Sequence, residues 1–163
     1  MDGLHATFRK KRSPEFMRFN GEWLHCDDGI VRPVVRAEIL AGDGSWRAGE
    51  LLVDTGADRT VLSANILESL NLATISSQEG IGGVGGLVDS VIIRTRIRLT
   101  RDDEAKVVFR GEYAACTEPE ALDMSVLGRD ILEMFAVILD RPNVVVTILG
   151  GRHHYKIEEH REP

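Results

Sequence analysis

At 163 residues, with 43% apolar and 28% charged side chains and a net charge of −6, the sequence has the composition of one ordinary globular domain and is too short for two good-sized lobes. The acidic balance gives no general reason to expect nucleic acid, and no window reaches the roughly 18 to 20 apolar residues of a membrane-spanning helix. The opening MDGLHATFRKKR lacks the apolar stretch of a signal peptide, so the expectation is a cytoplasmic protein with neither a membrane nor a nucleic-acid partner.

Taken in chain order, residues 1–28 are polar and read as an N-terminal extension. Their basic run, Arg9-Lys10-Lys11-Arg12, reads as a solvated tail ahead of a nucleic-acid patch or a processing site. VRPVVRAEIL (31–40) predicts a strand, with Pro33 marking an edge or a bulge. The turn AGDGS leads to a second strand running into ELLVDTGA, which makes a hairpin. Ser63 is placed to cap a short helix with Ile66, Leu67 and Leu70 on one face and Asn71 as its stop.

The clearest period-2 pattern follows the glycine-rich run: Val91, Ile93, Thr95, Ile97 and Leu99 on one face, Arg94, Arg96 and Arg98 on the other. It predicts a long half-buried strand with a solvated basic side, turned by RDDEA into KVVFRGEYAAC. LGRDILEMF reads as a strand end feeding a short helix, and AVILD-RPN-VVVTIL as a closing hairpin with Pro142 in its turn. The prediction is therefore an all-β domain with two short helices over residues 29–150, followed by a polar tail, 151–163.

Cys26 and Cys116 are isolated, without C-x-x-C spacing, and are expected as free thiols. His25-Cys26-Asp27-Asp28 and His153-His154 offer ligand atoms, but neither joins a second suitably spaced cluster, so no metal and no cofactor is expected.

Gly80-Ile81-Gly82-Gly83-Val84-Gly85 satisfies G-x-G-x-x-G, the dinucleotide fingerprint. That fingerprint works by leading into a helix whose N-terminal N–H groups face a pyrophosphate. Here a strand follows, and no Gly-Lys-Ser/Thr is present, so a nucleotide site is disfavoured. About 25 residues upstream, the apolar Leu51-Leu52-Val53 ends in Asp54-Thr55-Gly56. A carboxylate leaving such a run is costly unless something shares its proton or donates a hydrogen bond to it.

Three motifs in order, Asp54-Thr55-Gly56-Ala57-Asp58 behind an apolar strand, IGGVGG at 81–86 and VLGRDIL at 126–132, resemble the retropepsin-like (retroviral-type) aspartic protease family. The resemblance covers roughly residues 31 to 149 and implies a single-lobe acid-protease closed barrel. It further implies two aspartates sharing one proton, one acting as general base on a water that attacks the peptide carbonyl, the other protonating the leaving amide nitrogen. Neither a covalent intermediate nor a metal enters that scheme.

The chain holds one Asp-Thr-Gly; Asp89, Asp123, Asp130 and Asp140 stand in other contexts. The resemblance therefore implies a two-fold homodimer in which the Asp54 side chains meet. By the same resemblance Thr55 cross-links the two active-site loops, and Gly56 lets backbone approach the peptide. Asp58 pairs with Arg129 and can meet substrate backbone, while the segment of Val126, Leu127 and Gly128 passes beneath the active-site loop, with Gly128 as structural support. Val126 and Ala57 border the substrate, and Leu127 either joins them or packs in the core. Ile81, Gly82, Gly83 and Val84 form a flap closing over an extended peptide, with Val84 at its tip. The alternative is a catalytically silent dimeric domain of the same fold that binds peptides or scaffolds an assembly. The extension, the longer TRDDEAKVV hairpin and the charged tail depart from the short retroviral enzymes and look more like a cellular member.

Overall fold

The computed structural model describes residues 17–83 and 86–151. Eleven strands appear among them: β1 Met17–Asn20, β2 Glu22–His25, β3 Val31–Leu40, β4 Trp46–Val53, β5 Val61–Leu62, β6 Thr74–Gly83, β7 Gly86–Thr100, β8 Lys106–Cys116, β9 Ser125–Leu127, β10 Ala136–Asp140 and β11 Val145–Gly150. Helix α1 spans Ala64–Leu70 and α2 Arg129–Leu132, with a 3₁₀ turn at Pro119–Ala121.

Strands β2-β3-β4-β9-β5-β8-β7-β6 form one sheet, and a further pairing of β3 with β7 closes six of them into a ring. Closure follows from how β3 divides its edges. One edge pairs with β4 over Val34–Leu40; the other pairs with β2 over its first residues and with β7 at Ala37, Glu38 and Ile39. Pro33 lies opposite Trp23 of β2 and just before the first β4 pair, Val34 with Leu52, so its missing N–H falls where β3 has a partner on one side only.

Inside the ring the alternating residues of β7 meet those of β3. Ile93, Ile97 and Leu99 are buried against Val35, Ala37 and Ile39 in one continuous core. On the outer face Arg94 and Arg96 are exposed, but Arg98 departs from the solvated face expected of it. Its guanidinium bonds Glu38 through Nε (2.8 Å) and Nη2 (2.9 Å) and lies 4.0 Å over the Trp46 ring. Arg98, with Lys106 beyond it, pulls the Glu38 carboxyl down to about 2.

In α1 Leu70 is buried with Ile66 and Leu67 packed behind it, and Asn71 ends the helix in the left-handed region at φ 46°. Ser63 stands at the N-cap without capping. Its hydroxyl instead accepts from Ser125 Oγ (3.2 Å), and its N–H donates to the same oxygen (2.9 Å), so a nonlocal buried pair takes the group that a local cap would use.

The N-terminal boundary differs from the sequence expectation. Residues 17–25, read as part of a polar extension, are structural: β1 pairs with β11, and β2 with β3. Phe19 is 1% exposed and meets Phe135 edge-on at 5.6 Å. The Trp23 indole N–H donates to Asp140 O and Val145 O, holding the β10–β11 hairpin, in which Pro142 lies at the turn. The second sheet, β1-β11-β10, thus joins both ends of the described chain. The basic run at 9–12, Val84 and His153-His154 lie outside the described residues.

Candidate active site

Strand β4 delivers Asp54. Leu51 and Val53 are buried and face the core, and β4 runs parallel to β9 with Leu51 beside Ser125, Leu52 beside Val126 and Val53 beside Leu127. The Asp54 N–H extends that pairing by donating to Leu127 O at 3.2 Å. The chain then turns sharply: Asp54 Oδ1 accepts the Gly56 N–H at 2.8 Å, and Asp54 O accepts the Ala57 N–H at 3.3 Å. The carboxylate at the end of this apolar strand is therefore half-buried and held by a backbone donor.

The turn is anchored to the start of α2. Ala57 O accepts the Arg129 N–H at 2.8 Å, and the Arg129 guanidinium bonds the Asp58 carboxylate while approaching Glu133 at 3.8 Å. Both partners are substantially exposed, so the pair orients the loop more than it stabilises the fold. Beneath it lies a lock that sequence reasoning missed. The fully buried Thr60 donates from N and Oγ1 to Asp130 Oδ1 (2.9 and 2.7 Å) and accepts the Gly128 N–H on Oγ1 at 3.1 Å. Gly128 is glycine because a Cβ there would stand 2.2 Å from the Arg59 carbonyl carbon.

Above Asp54 the β6–β7 hairpin reaches its tip with Gly83 opposite Gly86. Its register shifts between Gln78 and Ile81, where Gly80 adopts φ +82°, a conformation that side-chain-bearing residues rarely take. Asp54, Ala57, Val126, Ile81 and Gly82 come together around one open cleft of about 540 Å³. Gly56 and Asp58 face a second hollow of about 340 Å³, shared with Gly80, Ile81 and Gly82. Thr55 is exposed and lines neither, and Leu127 is fully buried in the core.

The wider cleft also takes in residues not assigned to the site from sequence: Val61, Leu87, Val88, Asp89, Cys116 and, from the segment after β8, Glu118, Glu120, Ala121 and Leu122. Burial raises the Cys116 thiol above its ordinary range, which keeps it protonated and a poor nucleophile. Among the described residues no group of three His, Cys, Asp or Glu is arranged to hold a metal ion, and no helix is long and apolar enough to cross a membrane.

Comparison with known proteins gives this geometry a context. No curated protein matches the chain. Among solved structures, a retropepsin-like aspartic protease from Rickettsia conorii is similar over 83% of this chain and 92% of its own, at 17% identity and a TM-score of 0.54, a likeness of fold. EIAV protease, in complex with the inhibitor HBY-793, matches over 63% of this chain and 86% of its own, at 28% identity and a TM-score of 0.44. The family model described as retroviral aspartyl protease matches residues 31–140, from the start of β3 to the end of β10. The chain belongs to the retroviral aspartyl protease family.

Proposed function

We propose that the chain is an aspartic endopeptidase, active as a homodimer in which two copies of Asp54 activate a water against an extended peptide. The observation that carries this reading is Asp54 itself: an acid at the end of a buried strand, held by the Gly56 N–H, facing an open cleft beneath a glycine-rich hairpin. A single carboxylate cannot serve as base and acid in the same step; two that share a proton can. One Asp54 takes a proton from water as its oxygen attacks the peptide carbonyl, and the other gives a proton to the departing amide nitrogen.

Because each chain has one Asp-Thr-Gly, the second carboxylate comes from a second copy. Apolar side chains left exposed on the β10–β11 hairpin, Ile138, Leu139, Val144 and Val145, suit such an association. Thr55, exposed beside Asp54, would cross-link the two active-site loops. The β6–β7 hairpin acts as the flap: Ile81 would contact the peptide, as would Val84 by the family resemblance, while Gly82 and Gly83, without side chains, let the hairpin backbone approach it for strand-like hydrogen bonding. Ala57, Asp58 and Val126 border the substrate, and Arg129 with Gly128 holds the loop.

The test is cleavage of a diverse peptide library across pH by the wild-type protein and Asp54→Asn, side by side. Cleavage at mildly acidic pH, inhibited by a statine-type mimic and falling by at least about a hundredfold in the variant, supports the reading. Undiminished cleavage by Asp54→Asn removes it. Peptide binding without cleavage by the wild type favours a silent peptide-binding domain.

A further inference from the structure

Among the described residues, the cleft that holds Asp54 carries charge of one sign. Its walls are apolar: Val61 and Cys116 belong to a small buried cluster against which Ile81, Val88, Ala121 and Leu122 pack. Three further carboxylates line it, Asp89 from β7 and Glu118 and Glu120 from the segment after β8, all exposed, and among the described residues no Lys, Arg or His lines it. Backbone bonds fix their neighbourhood. The N–H and hydroxyl of Thr117 both donate to Asp89 O at 3.4 Å, and the Ala121 N–H donates to Glu118 O at 3.1 Å, closing the turn that carries Glu120.

Several acids elsewhere on the surface pair with cations, Asp28 with Arg32, Glu22 with Arg36, Asp43 with Arg47 and Glu112 with Arg94, while others such as Glu50 and Glu68 form no such pair among the described residues. Among the described residues none pairs with Asp89, Glu118 or Glu120. Uncompensated acids around an apolar hollow make a site for a side chain that is apolar along its stem and positive at its end.

We infer that this cleft selects a lysine or arginine of the substrate beside the scissile bond, its stem against Val88, Ala121 and Leu122 and its charge among Asp89, Glu118 and Glu120. The inference rests on the peptidase reading for its place in the reaction, but the selectivity belongs to the cleft and is measurable without turnover. A purely apolar preference is the competing outcome.

The experiment uses paired peptides that differ only by lysine or norleucine at each position flanking the cleaved bond. For wild-type protein kcat/KM is expected to favour lysine roughly five- to tenfold at low salt, with the preference shrinking near 1 M salt, where roughly 3 Å screening weakens exposed charges. In Glu118→Gln/Glu120→Gln the lysine-to-norleucine ratio falls toward one, and Asp89→Asn moves it the same way. An equal or reversed ratio in the wild type, or a ratio untouched by these variants, overturns the inference.

Binding of the same labelled peptides to Asp54→Asn, followed by fluorescence anisotropy, separates the two readings. Cleavage with no charge preference overturns the acidic pocket and leaves the peptidase. Charge-selective binding without wild-type cleavage removes the peptidase and keeps the pocket; absence of both binding and cleavage overturns both.

Discussion

Thr60 and Asp130, seventy positions apart, tie the loop after Asp54 to α2 from below: Thr60 Oγ1 donates to Asp130 Oδ1 at 2.7 Å while accepting the Gly128 N–H at 3.1 Å. Replacing Thr60 by valine keeps its shape and removes both bonds, leaving a buried N–H unsatisfied. We expect a loss of about 2 kcal/mol by urea denaturation, with Thr60→Ser costing less because the hydroxyl returns. Equal stability of the valine variant and wild type would show the lock to be dispensable.

Gly128→Ala tests the close approach directly. The added carbon would meet Arg59 backbone at 2.2 Å, and backbone in a tight turn has little room to yield. The expected cost is about 3 kcal/mol or more, read as a fall in Tm.

Arg129→Lys separates positioning from stability. The Arg129–Asp58 pair is largely solvated, so stability should change by less than about 1 kcal/mol. Peptidase kcat/KM should fall far more, because lysine lacks the planar fork that orients the Asp58 carboxylate. Matched losses in both measurements would make Arg129 merely structural.

Glu38 carries a pH signature. Its carboxyl is drawn down to about 2, chiefly by Arg98, so the charged form is favoured in the folded state relative to the unfolded chain. Stability from this group is present above the unfolded value and is lost as pH falls toward 2. Glu38→Gln should therefore lower stability by about 1 kcal/mol near neutrality, a figure reduced for solvent exposure, with the gap to wild type closing between about pH 5 and pH 2. A gap independent of pH would assign the effect to packing against Trp46 instead.

A homodimeric site predicts that specific activity falls on dilution. Leu139→Glu, on the exposed β10–β11 hairpin, should raise the dimer dissociation constant at least about tenfold by sedimentation velocity, through the cost of burying a charge. Full activity of a monomer would exclude the arrangement.

What could be read from the sequence was local. The alternation of Ile93, Thr95, Ile97 and Leu99 announces β7 because half-burial writes period 2 into the residues themselves. Asp54, Gly82 and Val126 fall in recognisable motifs, and the fold brings them to one cleft. What escaped was nonlocal. Met17 and Phe19 lie in a short stretch with Arg18 between them and Asn20-Gly21 after, and only pairing with β11 makes them a strand, although their spacing of two was a faint signal. The Ser63 hydroxyl looked like a helix cap until Ser125 claimed it. Glu118 and Glu120 lie outside every motif, and their place at the cleft of Asp54 depends on how β8 turns back toward β9.

The strand made last is the one on which the smaller sheet depends. Because β11 lies between β1 and β10, neither Phe19 nor the β10 backbone has its partner until the chain has been made through Gly150. During synthesis β1 waits through nearly the whole domain for a neighbour, so this sheet closes late and the pairing that closes it is among the longest-range in the chain. A ribosome-bound chain stopped at Pro142 should hold Asp54 and the β6–β7 hairpin in sequence and yet resist cooperative folding. On this topology, the proposed protease domain remains without its finished fold until β11 has been made.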